Sequence, residues 1–335
     1  MSVETTPHFT IADSVRLARQ FYGLSAAASA LPSERDQNFA LITTAGEKFV
    51  LKIAMSSEER ATLELQNAAL KHVAERVLHL TLPRLIPALG GADIVTIRGA
   101  GGQKYFMRLM SWLDGEVFVH TPRPHDDALL ASLGTAMAEL DLALQGFADP
   151  AMYRELYWDL KRANLALAHL SLLPDEQQSV VLRYMKAWDS VDWNSLRHSL
   201  IHGDANDYNV LVRGGRVIGL LDFGDMVYSA VACDLAIVLA YALLDASDPL
   251  AVALPIVHAY HVRFPLTEAE IQALYPLMTA RLCVSLCYAA YNAQTKSGDA
   301  YQLVTAGPAW RLLQRLAELP KEAAPVAFRQ ACEIS

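Results

Sequence analysis

Asp204, Asn209 and Asp222 stand at a spacing that suits phosphoryl transfer. Asp204 closes His202-Gly203-Asp204, Asn209 follows five residues later (209 − 204), and Asp222 opens Asp222-Phe223-Gly224-Asp225. Such a reaction needs a carboxylate to take the proton of the attacking hydroxyl, an amide to hold one Mg²⁺, and a second carboxylate to bridge metal and nucleotide phosphates. The three residues supply those groups in that order, so the stretch reads as the catalytic and metal-binding loops of an ATP-dependent phosphotransferase.

The residues between them predict how two of these groups are held. Asn209 to Arg213 and Arg216 to Asp222 are β-rich runs flanking Gly214-Gly215, a dipeptide suited to a two-residue hairpin turn. With that turn, paired positions sum to 429 and Asn209 lies opposite Leu220. Asp222 is then two residues beyond Leu220, on the same face as Asn209, and one cation spans both side chains. An ordinary edge hairpin with polar residues scattered around it is the plainer explanation. Four specified residue types at this spacing argue against it.

The elements that must carry these groups fall into two regions, residues 1–112 and 113–335. The first is β-rich with one main helix. Phe39 to Thr44 and Lys48 to Ile53 are strand-like runs around Ala45-Gly46-Glu47, and Leu31 to Asn38 is a polar loop between strands. Lys52 is a lone cation among apolar neighbours, where burial is costly without a partner; a phosphate and a helix carboxylate would pair it. Ser57 to Leu78 has helical spacing. Glu64 or Gln66 would face Lys52, but not both, because residues two apart do not share a helix face. Glu64 is expected for its charge. Tyr105 to Met110 is a further strand ending at Trp112, and Met110 and Trp112 are expected where an adenine ring meets the chain; Trp112 is equally well explained as core.

Beyond Gly115 the chain reads as helical apart from the hairpin. Leu129, Leu133, Met137, Leu140 and Leu144 form one stripe, and residues 179–198, 233–245, 250–263 and 268–293 carry similar ones. Asp234 opens the helix after the hairpin and is expected to cap it, with bracing of the catalytic loop as the alternative.

Composition bounds the rest. The chain has 335 residues, 53% hydrophobic and 19% charged, which implies a substantial buried core. Residues 1–112 hold 12 Lys+Arg against 10 Asp+Glu and residues 113–335 hold 16 against 26, so the regions carry +2 and −10, summing to −8. That split fits an anionic nucleotide and a cationic acceptor, and equally a solvated acidic surface. Nucleic-acid binding has no support. Cys233, Cys283, Cys287 and Cys332 lack paired metal-ligand spacing. The N-terminal residues lack a signal-peptide pattern, and the apolar run Leu235 to Leu244 is too short to span a bilayer. A cytoplasmic protein is expected, without membrane association.

His202-Gly-Asp204 through Asn209, with Leu221-Asp-Phe-Gly-Asp-Met226, resembles the aminoglycoside phosphotransferase and choline kinase group of small-molecule kinases. Ser33 to Asn38, Val50 to Ile53, Leu65-Gln-Asn67, Trp158-Asp159 and Asp222 to Tyr228 bring it nearest, within that group, to the hydroxylysine kinases and their bacterial relatives. The resemblance covers nearly the whole chain. It implies an α+β, bilobed, protein-kinase-like fold: a small β-rich N-terminal lobe and a larger, mostly helical C-terminal lobe carrying the catalytic hairpin. It implies Asp204 as base, His202 bracing its loop, Asn209 and Asp222 as Mg²⁺ ligands, and Lys52 on the phosphates. ATP is the expected donor, with GTP open. In the wider group a glutamate often stands where this chain has Gln66.

The acceptor is expected to be a small hydroxyl compound bearing an amine. Asp207, Asp225 and Asp159 are candidate ammonium partners, and Trp158 or Tyr228 candidate stacking partners. Choline, homoserine and aminoglycosides are alternative acceptors. A pseudokinase binding module is a second class of reading. A metal-dependent hydrolase using His202, Asp204 and Asp222 is a third, and it lacks a second histidine or carboxylate cluster nearby.

Overall fold

The computed structural model describes residues 7–33, 35–77, 79–295 and 304–333. Residues 1–6, Glu34 of the polar loop and Leu78 at the end of the expected helix lie outside the described residues. Two compact units emerge: Met1–Ala74 with Leu82–Asp114, and Glu75–Thr81 with Gly115–Ser335. The excursion at Glu75–Thr81 has a local cause, because the Thr81 N–H donates to the Ile218 carbonyl at 2.7 Å and pairs beside Gly219.

The first unit is one six-stranded sheet between two helices. Its strands are β1 (Ala26–Leu31), β2 (Gln37–Thr43), β3 (Lys48–Ile53), β4 (Leu85–Ile86), β5 (Val95–Arg98) and β6 (Lys104–Ser111), ordered β1-β2-β3-β6-β4 with β5 also on β6. Because strand residues alternate faces, Leu51, Ile53, Met107 and Leu109 point to one side. There they join α1 (Ile11–Tyr22) through Leu17, Ala18 and Tyr22 in one core cluster. Ala54 and Phe106 point to the other side and meet Leu63 of α2 (Arg60–Ala74). The expected helix is α2. The second helix, α1, opens on Thr10, whose side chain accepts from the Asp13 N–H while Asp13 accepts from the Thr10 N–H, and it ends on left-handed Gly23.

The second unit is mainly helical: α3 (Asp127–Leu144), α4 (Asp175–Asp189), α5 (Ala232–Ala242), α6 (Pro249–Arg263) and α7 (Glu268–Thr295), followed by Ala306–Glu318 and Ala323–Glu333. Helix α7 is apolar and long enough to cross a membrane by length and composition, but 78% of that window is buried, as in a core helix. All eleven residues of α5 are buried. The helix expected over 179–198 stops at Asp189. Asp192 there accepts from the Asn194 N–H to start a short 3₁₀ turn, and His198 already belongs to a strand.

Five short strands frame the segment from His202 to Asp222: β7 (Glu116–Val117), β8 (His198–Ile201), β9 (Val210–Arg213), β10 (Arg216–Leu220) and β11 (Val227–Ala230). They form a three-stranded sheet, β10-β9-β7, and a pair, β11-β8. Gly214 and Gly215 both have positive φ, 60° and 71°, as the two-residue turn requires.

Candidate active site

Strand β8 delivers the chain into His202–Asn209, and a buried carboxylate locks its entry. Asp234 on α5 accepts from the His202 N–H at 2.7 Å with one oxygen and from the Gly203 N–H at 2.8 Å with the other. The expectation that Asp234 caps its helix is therefore corrected: Val231 is the N-cap of α5, and no side chain caps it. Gly203 has φ +78°, and a Cβ there would stand 2.5 Å from the Asp225 carbonyl oxygen, so only glycine fits.

His202 is fully buried. Its Nδ1 accepts from the Asp204 N–H at 3.2 Å and its Nε2 lies 2.9 Å from the Leu221 carbonyl. A backbone N–H only donates and a carbonyl only accepts, so the ring is neutral with its proton on Nε2. His202 thus ties the His202–Asn209 loop to the residue preceding Asp222.

Asp204 is gripped on both oxygens. Arg281 of α7 donates to Oδ1 at 2.6 Å, and the side-chain amides of Asn206 and Asn209 each donate to Oδ2 at 3.0 Å. Burial pushes the Asp204 carboxyl above its ordinary range, the Arg281 guanidinium pulls it back, and Asp225 and Asp222 push it further up. Asp204 and Asp222 therefore lie within electrostatic reach of each other. Arg281, whose side chain is 3% exposed, stacks over Trp158 at 4.7 Å and Tyr241 at 5.5 Å.

Sequence reasoning missed Arg281. Its signal was present, since Arg281 is the one charged residue between Tyr275 and Gln294, and a cation in a core helix needs a partner.

The hairpin register differs from the expected one. Arg213 pairs with Arg216 and Val212 with Val217, both summing to 429, but a bulge at Ile218 then matches Leu211 with Gly219 and Val210 with Leu220. The Leu221 N–H donates to the Asn209 carbonyl at 2.8 Å, so Asn209 lies beside Leu221 instead of Leu220. Regular alternation would now turn Asp222 away. Asp222 instead takes a left-handed backbone, φ 52° and ψ 79°, and its side chain accepts from the Gly224 N–H at 3.3 Å. A non-glycine residue held there re-aims its side chain at a backbone cost, a feature that clusters at functional sites.

The donor set fits a hard divalent cation. The Asn209 amide nitrogen is engaged by Asp204, through Oδ2 and through the carbonyl at 2.8 Å, which leaves the amide oxygen as the ligating atom. Asp222 is exposed and would contribute carboxylate oxygen. Among the described residues no group of three or more His, Cys, Asp or Glu forms a metal cage, so nucleotide phosphates would have to complete the shell.

The acceptor candidates separate. Trp158 lies beside Arg281 and within an aromatic run with Tyr157 and Tyr288, at 5.5 and 5.0 Å. Asp225 is buried next to Gly203 and bears electrostatically on Asp204. Asp207 is buried and its Oδ1 has no hydrogen-bond partner among the described residues; burial pushes its carboxyl up to about 6 against the pull of Arg123. Asp159 is structural: its Oδ1 accepts from the Ser229 hydroxyl at 2.7 Å and from the Lys161 N–H at 3.1 Å, capping the next turn. Tyr228 packs with Tyr153 and His198 at 4.9 and 5.8 Å on the β8–β11 pair.

In the first unit, Lys52 is half-buried on β3, opposite Asn38 of β2 and Arg108 of β6. The expected helix partner is corrected. Glu64 lies on the outer face of α2 with its side chain 56% exposed, paired with Arg60 at 2.8 Å. Gln66 and Asn67 face the sheet and accept from the buried Arg108 at 2.7 and 2.8 Å. Met110 is buried on the Lys52 face, and Trp112 is partly exposed past the strand, with the Lys48 ammonium 5.9 Å from its ring.

Comparison with known proteins places this geometry among relatives. The model of the phosphotransferase enzyme family matches residues 28–274. Hydroxylysine kinase of Danio rerio is 31% identical over 339 residues, covering 95% of this chain and 94% of that protein, and the Mus musculus hydroxylysine kinase is 29% identical over 348. In fold the chain is similar to an amicoumacin kinase in complex with AMP-PNP, Ca²⁺ and Ami, with TM-score 0.71 and 14% identity over 92% of this chain and 94% of that one. A microcompartment-associated aminopropanol kinase gives TM-score 0.66 at 17% identity, covering 91% and 97%.

Proposed function

This chain belongs to the phosphotransferase enzyme family, and from that premise we propose that it transfers the γ-phosphoryl group of ATP to a small amine-bearing alcohol. It is a small-molecule phosphotransferase acting on hydroxyl groups, with a hydroxylysine-like acceptor favoured by the relatives' activity. The observation that carries the site assignment is Asp204, held on both oxygens, with Asn209 in contact and Asp222 within electrostatic reach.

Among the described residues, Asp204 Oδ1 takes one donor and Oδ2 takes two. Oδ1 therefore keeps a lone pair for the acceptor hydroxyl. Asp204 orients that hydroxyl; as the acceptor oxygen bonds to phosphorus and the bond to ADP breaks, Asp204 takes the proton. The neighbouring Arg281 favours the ionised form of Asp204 needed to receive it, against the upward push of burial. Asn209 and Asp222 would hold Mg²⁺, which when bound supplies positive charge against the phosphates. Lys52 adds a phosphate contact from β3.

The acceptor's ammonium group would sit against Asp207 or Asp225 with Trp158 as an aromatic wall. Asp207 supports this, because its unpartnered buried oxygen is matched by a cationic donor. A screen for acceptor-dependent ADP release decides the reading. Amino alcohols, hydroxylysine first, should outperform aminoglycosides and neutral sugars. The acceptor KM should also rise with salt, as steering by the −10 charge of residues 113–335 is screened. A neutral sugar as best acceptor without a salt effect would refute the cationic acceptor. Absence of ADP release with every acceptor, despite nucleotide binding, would favour the binding-module alternative.

A further inference from the structure

Asp234, the brace of the catalytic loop, has a carboxyl neighbour that the reaction does not use. Asp141 on α3 is 1% exposed. Its Oδ2 accepts from the Tyr260 hydroxyl of α6 at 2.6 Å, while its Oδ1 is buried and, among the described residues, has no donor. The side chains of Asp141 and Asp234 are close enough for a hydrogen bond. Both oxygens of Asp234 already accept backbone N–H groups, so the only missing element between the two carboxyls is a proton.

We propose that Asp141 is a positioning residue that carries this proton, donating its O–H to Asp234 so that Asp234 stays fixed as the double acceptor for His202 and Gly203. The chain of bonds runs from the Tyr260 hydroxyl to Asp141, from Asp141 to Asp234, and from Asp234 to the two loop N–H groups. Two ionised carboxylates in contact inside a sealed core would repel, and sharing one proton removes that repulsion. The surroundings favour the neutral acid. Burial pushes Asp141 well above the ordinary carboxylate range, and Asp234 and Glu270 push it further. Facing it are Asp234 and the buried thiol of Cys233 on α5, Tyr260 on α6, Glu270 on α7, and Arg197 ahead of β8. Arg197 is the one cation in that set, and it is committed to Glu270 through bonds of 2.8 and 2.6 Å.

The inference rests on His202–Asn209 being the catalytic loop, yet its decisive measurement does not require turnover. Infrared spectra of the protein at mildly alkaline pH, where Asp204 and Asp207 are ionised, should contain the carbonyl stretch of a protonated carboxylic acid, and Asp141→Asn should remove it. In parallel, Asp141→Val should lower kcat by roughly tenfold, the effect of losing one buried hydrogen bond, with the KM for ATP little changed. Asp141→Asn should rescue it, since the amide donates to Asp234 and still accepts from Tyr260. The wild type should lose activity at alkaline pH as Asp141 ionises, a limb absent from Asp141→Asn. If the substituted proteins do not fold, ¹³C-carboxyl aspartate labelling of the wild type decides: one aspartate should remain protonated at mildly alkaline pH, after Asp204 (about 7) and Asp207 (about 6) have released their protons. Full ionisation of every aspartate, or an Asn variant as impaired as the Val variant, overturns the proposal. A present infrared band with no acceptor-dependent ADP release would instead overturn the kinase reading alone.

Discussion

The catalytic loop and the Lys52 face of the first sheet meet the same problem, a charged group in apolar surroundings, and solve it in opposite ways. Asp204 has a buried arginine, two amides and a histidine-braced backbone, drawn from the loop itself and from α7. On the Lys52 face the buried cation Arg108 meets two neutral amides, Gln66 and Asn67, and the nearby carboxylate Glu64 points outward to Arg60. Lys52 and Arg108 stand side by side across the β3–β6 pair. The loop thus fixes one carboxylate between several donors, whereas the sheet face sets two cations, Lys52 and Arg108, side by side, an arrangement that suits an arriving phosphate. A residue that must present one oxygen to a hydroxyl is held rigidly; a residue that grips a ligand is left half-buried.

The most severe way to break this contrast is Asp204→Ala. Activity should fall roughly 10²-fold to 10⁴-fold, the usual effect of losing a positioned base, while ATP affinity stays near wild type and thermal stability drops because the buried Arg281 loses its carboxylate partner. Near-normal kcat would show that the rigid loop serves something other than proton transfer.

Next come Asn209→Ala and Asp222→Ala. Each should weaken the dependence on Mg²⁺, and the pair should be non-additive in a double-mutant cycle, because loss of either ligand disrupts the same cation. Independent, additive effects would separate them into two roles, a result the bulged register makes worth excluding.

The depth of the loop's bracing can be read from pH. In the wild type the folded state keeps a proton on Asp141 that the unfolded chain releases above its ordinary value of 3.8. The unfolded state binds fewer protons there, so this group lowers stability as pH rises, by about 1.4 kcal/mol per unit until the folded acid itself ionises. Asp141→Asn should flatten that slope in denaturant unfolding across mildly acidic to neutral pH. An unchanged slope would remove Asp141 from the brace.

On the sheet side, Lys52→Met should raise the KM for ATP or lower kcat by an amount equivalent to about 1.5–3 kcal/mol, one hydrogen bond to a charged group, with little loss of stability. The smallest effect belongs to Glu64→Gln. An exposed i,i+4 pair contributes about 0.3–0.5 kcal/mol, so neither KM nor stability should move measurably. A tenfold change in KM for ATP would restore Glu64 as the partner of Lys52 and overturn the contrast.

What the amino-acid sequence determined by itself is local. The His202 to Asn209 motif, the Gly214-Gly215 turn, the strand carrying Lys52 and the helical stripes depend on residue type and on periods of two or 3.6, so short windows revealed them. Helix α1 was equally legible in its capping box, from Thr10 to Asp13, and was passed over. Tertiary structure alone decided the rest, because each remaining fact is a choice between partners remote in the chain. Arg281 reaches Asp204 across 77 residues, Asp234 reaches Gly203 across 31, and Arg108 selects Gln66 from 42 residues away. Asp234 looked like a helix cap because capping needs only neighbouring residues, and Glu64 looked like a lysine partner because charge is visible in a sequence while the helix face turned to the sheet is not. The bulge at Ile218 belongs to the same class. It shifts the pairing of Asn209 by one residue, and the left-handed backbone at Asp222 compensates, two departures that no alternation of residue types announces. Burial sets the cost of leaving each of these groups unpaired, and burial exists only once the chain has folded.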